Sequence, residues 1–395
     1  MTHYWETVGD PGPVGSYTIH SGDTHVVEPP DLWTSRLPEK FRDRAPHVER
    51  VGERDFWFVE GRNLCHTGYK ASRWNPNEYS GLVDDQRPGG RFPKECLDDS
   101  DLDGVDVNVF FPSPGLTFLA VSDADFLGAV FRVYNDWLAE FCSYDARRLK
   151  GVAMLLPSDD VAAAVAELER CVGEGFVGGL IPMLSAPDRT YDDPAYDRLW
   201  DAAQGLGVPL MMHTGGIRRV AAVENMLNQN AVASRPLYMD ANARENLTAL
   251  IYGGVFQRFP QLKIGIMEMG TGWVPFFMRM LDRGYLVRRD GGPRPREFGD
   301  GVAPSDFIRN NVFFGYQDED LGVEFREYIG VDNLVYANDY PHSDCVWPRS
   351  REVLERIFVK AGCTEAEKIK LAGANAARIF GFELTTAATP SHPLR

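Results

Sequence analysis

The sequence predicts an α/β fold, a distorted (β/α)8 TIM barrel with a long insertion after its first strand. Three observations point there. Eight short, apolar, β-prone runs recur along the chain, and helical patterns come after nearly all of them, the alternation that builds a parallel sheet covered by helices. Most of these runs are apolar throughout rather than alternating, as expected of strands covered on both faces. No glycine-rich phosphate loop stands after an early strand, which argues against a doubly wound open sheet. Gly253-Gly254 stands late in a helical stretch and does not fit that context.

The elements are taken in chain order. Residues 1–16, rich in Gly and Pro, read as an N-terminal arm. Residues 17–382 read as one barrel domain, and 383–395 as a C-terminal tail. The first strand feeds from Tyr17-Thr18-Ile19-His20 into Ser21-Gly22-Asp23-Thr24-His25, and Pro29-Pro30 ends the extended run. Residues 29–95 are irregular apart from a hairpin over 56–64 with its turn at 60–63. A loop region this long suggests a lid or a subunit contact. Strands are then expected over 105–111, 151–156, 177–182, 208–213, 263–268, 311–315 and 333–339. Helices are expected over 123–149, 159–173 with Ser158 as cap, 194–205 opened by its proline, 240–256, 272–289, 320–329, 351–361 and 365–380. The Gly291-Gly292-Pro293-Arg294-Pro295 stretch reads as a loop that splits no domain.

Charge and cysteine usage narrow the partners. The 395 residues carry 57 Asp+Glu against 41 Lys+Arg, a formal net charge of -16, which disfavours nucleic acid and acidic membranes. Six scattered cysteines without a C-x-x-C pair read as reduced thiols. The polar start lacks a signal-peptide pattern and no apolar run reaches the length of a membrane span, so a cytoplasmic protein is expected. A small molecule is the expected partner. A homo-oligomer is expected, and a hetero-oligomer is compatible with the sequence.

In a barrel, strand C-termini face the active site, so polar residues ending apolar strands carry the information. Asp23 and His25 end strand one, on the same face about 7 Å apart. His213 ends strand five, Glu268 strand six and Asp339 strand eight, with His342 just beyond. Singly, each has a bland reading as a cap or packing residue. One divalent metal ion explains them together, because buried carboxylates without a cation are costly. Phe111, Pro112, Phe118, Trp273, Trp74 and Tyr79 are candidates to line an apolar pocket. Arg73 or Arg218 suits either a substrate anion or a salt bridge.

These positions resemble the amidohydrolase superfamily, in particular the amidohydrolase 2 branch that contains aminocarboxymuconate-semialdehyde decarboxylase and related aromatic-acid decarboxylases. The resemblance runs from about Ile19 to Phe382. Its markers are Asp23-Thr24-His25-Val26-Val27-Glu28-Pro29, His213, Gly270-Thr271-Gly272-Trp273-Val274-Pro275, Asn338-Asp339-Tyr340-Pro341-His342 and Asn375-Ala376-Ala377-Arg378-Ile379-Phe380-Gly381. It implies a divalent metal, zinc above all, on Asp23, His25, His213 and Asp339, with Asp339 also moving a proton. Two positions depart from the pattern. Strand one opens on Asp23 where many relatives carry His or Glu, and Glu268 stands where the decarboxylases usually carry a histidine.

Glu268 therefore puts a metal-dependent hydrolase first, with metal-activated water attacking a carbonyl-type or carboxylic acid substrate and Asp339, Glu268 and His342 as the catalytic residues. The alternatives are a non-oxidative carboxy-lyase of a small aromatic or unsaturated acid, a dinuclear iron oxygenase, and a non-catalytic metal-binding subunit. For a second metal, Glu268, His342 and Glu28 are the candidate ligands, and iron or manganese the expected ions.

Overall fold

The computed structural model describes residues 17–67, 81–183, 189–218, 239–289 and 296–384. The N-terminal arm, Arg73, Trp74, Tyr79, the 291–295 loop and most of the C-terminal tail lie outside them. Eleven strands are described: β1 Ile19–His25, β2 His47–Val51, β3 Arg54–Val59, β4 Arg62–His66, β5 Val105–Phe111, β6 Leu149–Met154, β7 Gly178–Leu180, β8 Leu210–His213, β9 Ile264–Met267, β10 Val312–Tyr316 and β11 Leu334–Tyr336. Eight of them form one sheet in the order β1-β5-β6-β7-β8-β9-β10-β11, every neighbour parallel. Strand order equals chain order, as expected when each strand leads into a crossover helix. This is the expected barrel.

The ring closes just past the last strand. Asp339 N donates to Asp23 O at 3.1 Å, and His25 N donates to Tyr340 O at 2.7 Å. Asn338 reinforces this seam: its backbone N donates to Ser21 Oγ at 3.0 Å, and its Oδ1 lies 3.0 Å from Thr24 Oγ1 and 3.1 Å from Ser21 Oγ. All of these groups are buried, so each bond is made where water cannot replace it.

Gly22 lets the seam close. A Cβ there would stand 2.3 Å from Val335 Cγ1 and 3.2 Å from Phe380 Cε2. The β1–β5 register also shifts between Ser21 and Thr24, a bulge that turns Asp23 and His25 toward the barrel mouth.

The insertion contributes its own three-stranded antiparallel sheet, β2-β3-β4. The expected hairpin is β3–β4, and its turn uses Glu60 at φ 52° and Gly61 at φ 71°. The sheet is held to the barrel by Trp57, buried against Trp33 and Phe118. Phe118 is thereby core rather than pocket lining.

Several boundaries differ from expectation for local reasons. The long helix is Ala124–Ser143, capped by Asp123 accepting from Phe126 N. It stops short of 149 because the next turn leads straight into β6, with Leu149 N bonded to Asp145 O. Helix Val161–Gly173 is capped by Asp160, which accepts from Ala163 N at 3.0 Å. The Ser158 hydroxyl goes to Asp159 instead. The 240–256 helix breaks at Gly254, whose φ of 74° ends Met239–Tyr252 and starts Val255–Arg258. Among the helices absent from the sequence expectation, Pro93–Asp103 and Pro304–Asn311 both open on a proline. All six cysteines are free thiols, and among the described residues no helix is long and apolar enough to cross a membrane.

Gly22→Ala is expected to destabilise the chain by about 1–3 kcal/mol through overpacking, read as a lower urea midpoint. Val335→Ala in the same chain should recover part of that loss, because it removes the colliding methyl group.

Candidate metal centre

Strand ends bring the candidate side chains to one buried locus. Asp23 and His25 come from the bulged end of β1, His213 from the end of β8, and Asp339 from just beyond β11. His25 Nε2 lies 3.4 Å from Asp23 Oδ1 and 3.4 Å from Asp339 Oδ1, and His213 Nε2 lies 3.2 Å from Asp23 Oδ2. These four residues are at most 2% exposed. His25 and His213 meet edge to face, with ring centroids 4.9 Å apart.

Each imidazole is fixed from behind. His25 Nδ1 bonds to Pro112 O at 2.9 Å and His213 Nδ1 to Thr214 O at 2.7 Å. A carbonyl only accepts, so both Nδ1 atoms carry a proton, and each Nε2, when it carries none, turns a lone pair to the centre. This is how imidazoles are oriented for metal ligation.

The decisive feature is what these groups lack. Asp23 Oδ1 and Oδ2, His25 Nε2, His213 Nε2 and Asp339 Oδ2 are buried and without a hydrogen-bond partner among the described residues. Two carboxylates buried around one imidazole are expensive unless a cation joins them. Ligand atoms fall into two overlapping sets, each within 4.8 Å: Asp23, His25 and His213, and His25, Asp339 and His342. His25 belongs to both. Two carboxylates and two neutral imidazoles suit borderline zinc or the harder manganese.

His342 pairs with the centre from outside. Its Nδ1 lies 2.8 Å from Asp339 Oδ1 and its Nε2 2.9 Å from Ser113 Oγ, and its ring stacks on His25 at 3.9 Å. Glu268 stands at the rim, 30% exposed, with Oε2 3.8 Å from His213 Nε2. Both Glu268 and Asp339 sit in the left-handed region, at φ 55° and 56°. A non-glycine residue held there costs on the order of 1–2 kcal/mol.

Glu28 is placed differently. It is fully buried, but its carboxylate accepts from Gly115 N at 3.0 Å and Ser113 N at 3.3 Å, and it joins neither ligand set. The expected second-metal role for Glu28 therefore gives way to bracing the loop after β5. Arg218 is likewise structural. It is ion-paired to Asp159 and bonded to the carbonyls of Leu119, Val121 and Ser122. Ser113 and Asn338 shape the site without standing out in the sequence, although Asn338 adjoins Asp339 in the motif.

Without a cation the local charges respond to one another. Burial would lower the His213 pKa, but the Asp23 carboxylate outweighs it and pushes the imidazole up to about 9. Burial, with Asp339 adding to it, raises Glu268 to about 8. Burial also raises Asp23, and it holds His25 well below its usual value.

An eight-stranded parallel barrel that gathers histidines and carboxylates at its strand ends defines a class of proteins that carry their chemistry at that face. The chain belongs to the amidohydrolase family, whose model matches residues 23–382. It is 26% identical over 270 residues to the gamma-resorcylate decarboxylase of Polaromonas sp. strain JS666, across 66% of this chain and 79% of that protein. An amidohydrolase from Mycobacterium avium subsp. paratuberculosis K-10 superposes with a TM-score of 0.75 at 20% identity, covering 92% of this chain and 99% of that one. A dihydroxybenzoic acid decarboxylase from Polaromonas sp. JS666, solved with manganese and the inhibitor 2-nitroresorcinol, gives a TM-score of 0.60 at 20% identity, covering 92% of this chain and 97% of that one.

The shifts fix a pH dependence for metal-stripped protein. His213 holds a proton up to about 9 in the folded chain against 6.5 unfolded, so its stabilisation is complete below 6.5 and lost as pH rises through 9. Glu268 keeps its proton up to about 8 against 4.5 unfolded, so ionising it also removes stability as pH rises. Urea unfolding should thus show stability falling from pH 7 to 9. Glu268→Gln should flatten the slope by up to about 1.4 kcal/mol per pH unit.

Proposed function

We propose that this chain is a metal-dependent, non-oxidative carboxy-lyase of a small aromatic acid bearing a hydroxyl beside its carboxylate. The observation that carries this reading is the set of buried, partnerless ligand atoms on Asp23, His25, His213 and Asp339. The decarboxylases among the relatives make it a stronger reading than hydrolysis, which the sequence put first. Those four residues would hold the ion. Manganese is supported by the related decarboxylase structure that contains it, and zinc by the donor set. When bound, the ion acts as a Lewis acid on substrate oxygens.

The chain's own residues supply the rest. In decarboxylation the ring carbon–carboxylate bond breaks, its electron pair stays on the ring carbon, carbon dioxide leaves, and a proton must arrive at that carbon. Asp339, in contact with His342, is the proton donor in this proposal. Ser113 keeps His342 turned toward it: its own hydroxyl proton goes to Val26 O at 2.7 Å, so Ser113 Oγ accepts from His342 Nε2–H. His342 can then return a proton to Asp339 after each turnover. Burial of the centre excludes water and so strengthens the electrostatic contacts made there.

One observation favours a second reading. Glu268, where the family resemblance leads one to expect a histidine, puts a carboxyl group with its ionisation raised to about 8 at 3.8 Å from His213. A group of this kind suits a general base on water, as hydrolysis or hydration requires.

Manganese-loaded protein incubated with gamma-resorcylate and other 2-hydroxybenzoates should release one carbon dioxide per acid consumed, with no oxygen uptake. Absence of carbon dioxide from every hydroxybenzoate, with a hydrated or hydrolysed product from another substrate, would transfer the assignment to the second reading. Oxygen uptake with two bound irons would transfer it to an oxygenase.

His213→Ala and Asp339→Ala should each lose at least about a hundredfold in turnover and most of the bound metal, while keeping the circular dichroism of the parent barrel. Glu268→Gln should retain the metal. Its turnover should fall less than tenfold if carbon dioxide release is the reaction, and far more if Glu268 is the base on water.

A further inference from the structure

The end of the insertion, Arg87-Pro88-Gly89-Gly90, and helix Pro93–Asp103 after it have no role in the chemistry above. Both lie against the loop after β11, which carries Asp339 and His342. Asp99 and Asp103, one helical turn apart, share a face of that helix. Tyr340 Oη donates to Asp99 Oδ2, and Trp347 Nε1 donates to Asp99 O at 2.9 Å. Asp103 accepts from Ser350 N at 2.8 Å and from Ser350 Oγ at 2.5 Å. The helix thus holds the loop at Tyr340, Trp347 and Ser350.

Arg87 completes the grip. Its guanidinium bonds Asp99 with two prongs, Nε to Oδ2 at 2.7 Å and Nη2 to Oδ1. Its Cζ lies 3.9 Å over the Trp347 ring. A two-pronged pair fixes the plane of the carboxylate, so Oδ2 stays aimed at Tyr340.

Two glycines make room for this. A Cβ on Gly89 would stand 2.5 Å from Asp99 Oδ2 and closer still to Tyr340 Oη. One on Gly90 would stand 2.9 Å from Val27 Cγ2 and 3.0 Å from Pro341 Cγ. Gly90 O also accepts from Val27 N at 2.7 Å. The glycine pair therefore seats the end of the insertion between the end of β1 and the loop after β11.

Tyr340 adjoins Asp339, whose φ of 56° has to be held by its surroundings. Its carbonyl accepts from His25 N at 2.7 Å. Its side chain is buried, so the hydroxyl bond to Asp99 is made out of reach of water. One residue thus fixes the loop to β1 by its backbone and to helix Pro93–Asp103 by its hydroxyl.

We propose that Tyr340, Asp99 and Arg87 are positioning residues, which hold Asp339 and His342 in place for the ion and the proton through the Tyr340 hydroxyl. This rests on the metal reading above. Manganese titrated into the metal-stripped full chain, followed by equilibrium dialysis, tests it. The parent should bind the ion. Tyr340→Phe, which removes one oxygen, should keep the parent circular dichroism and raise the manganese Kd at least about tenfold. Arg87→Lys, at a partly exposed side chain, keeps the charge but gives up the two-pronged bond, and should raise the Kd by a smaller factor. The double variant should match Tyr340→Phe alone, because Arg87 acts through that hydroxyl. Arg36→Lys, at the exposed two-pronged pair with Glu140, should leave the Kd unchanged. A purely structural network would lower the urea midpoint and leave the Kd of the folded chain where it was. That result overturns the proposal, as does a double variant whose losses multiply. Should Tyr340→Phe not fold, an unchanged Kd in Arg87→Lys overturns it alone. A parent chain that takes up neither manganese nor zinc overturns the metal reading, and the positioning role falls with it.

Discussion

Two carboxylates buried on either side of His25 at the mouth of the barrel are the constraint around which this molecule is arranged. Asp23 stands on the first strand of the ring and Asp339 just past the last, and the backbone bonds that close the ring are their own: Asp339 N to Asp23 O, with His25 N to Tyr340 O beside it. Closing the barrel therefore buries two carboxylates around one imidazole. A divalent cation turns that burial into a clamp across the seam, so folding and ion binding become linked.

The supports behind the centre are rigid. Carbonyls of Pro112 and Thr214 orient the two imidazoles, and Ser113 and Asp339 hold His342 from both sides. The Asn338 side chain ties Ser21 and Thr24 to the loop that bears Asp339. Two residues at the mouth, Glu268 and Asp339, are kept at positive φ. Strain of this sort persists only where the surroundings over-determine the backbone, and here both cases carry a carboxylate proposed to act on substrate or solvent.

Kinship and local chemistry pull on the functional reading from different directions. Membership of the amidohydrolase family and similarity to aromatic-acid decarboxylases favour carbon dioxide release. Glu268 is a feature of this chain, and its raised ionisation comes from where it sits: burial first, then the neighbouring Asp339 charge. In a site built for decarboxylation, a neutral carboxylic acid at that rim can still donate a hydrogen bond to a substrate oxygen below its pKa. Under the proposed reading Glu268 would alter the partner offered to substrate without dismantling the centre.

The sequence alone determined the periodic pattern of apolar runs and helices, and with it the parallel barrel, because burial of both strand faces writes itself into composition. It also exposed Asp23, His25, His213, Glu268 and Asp339, since a polar residue ending an apolar strand is conspicuous by contrast. The hairpin turn at Glu60-Gly61 was legible from its turn residues. Long-range pairing was not legible. That Glu28 is taken by the amides of Ser113 and Gly115, that His342 joins Asp339 and Ser113, and that Asn338 ties the seam all depend on contacts that local chain order does not specify. Caps shifted for the same reason at shorter range: Asp160 outcompeted Ser158 because its side chain reached Ala163 N. Local chemistry names the groups able to act; only the closed ring decides which of them share a proton, an amide or an ion, because hydrogen bonds and charges act over a few ångströms and nothing in the linear order sets those distances.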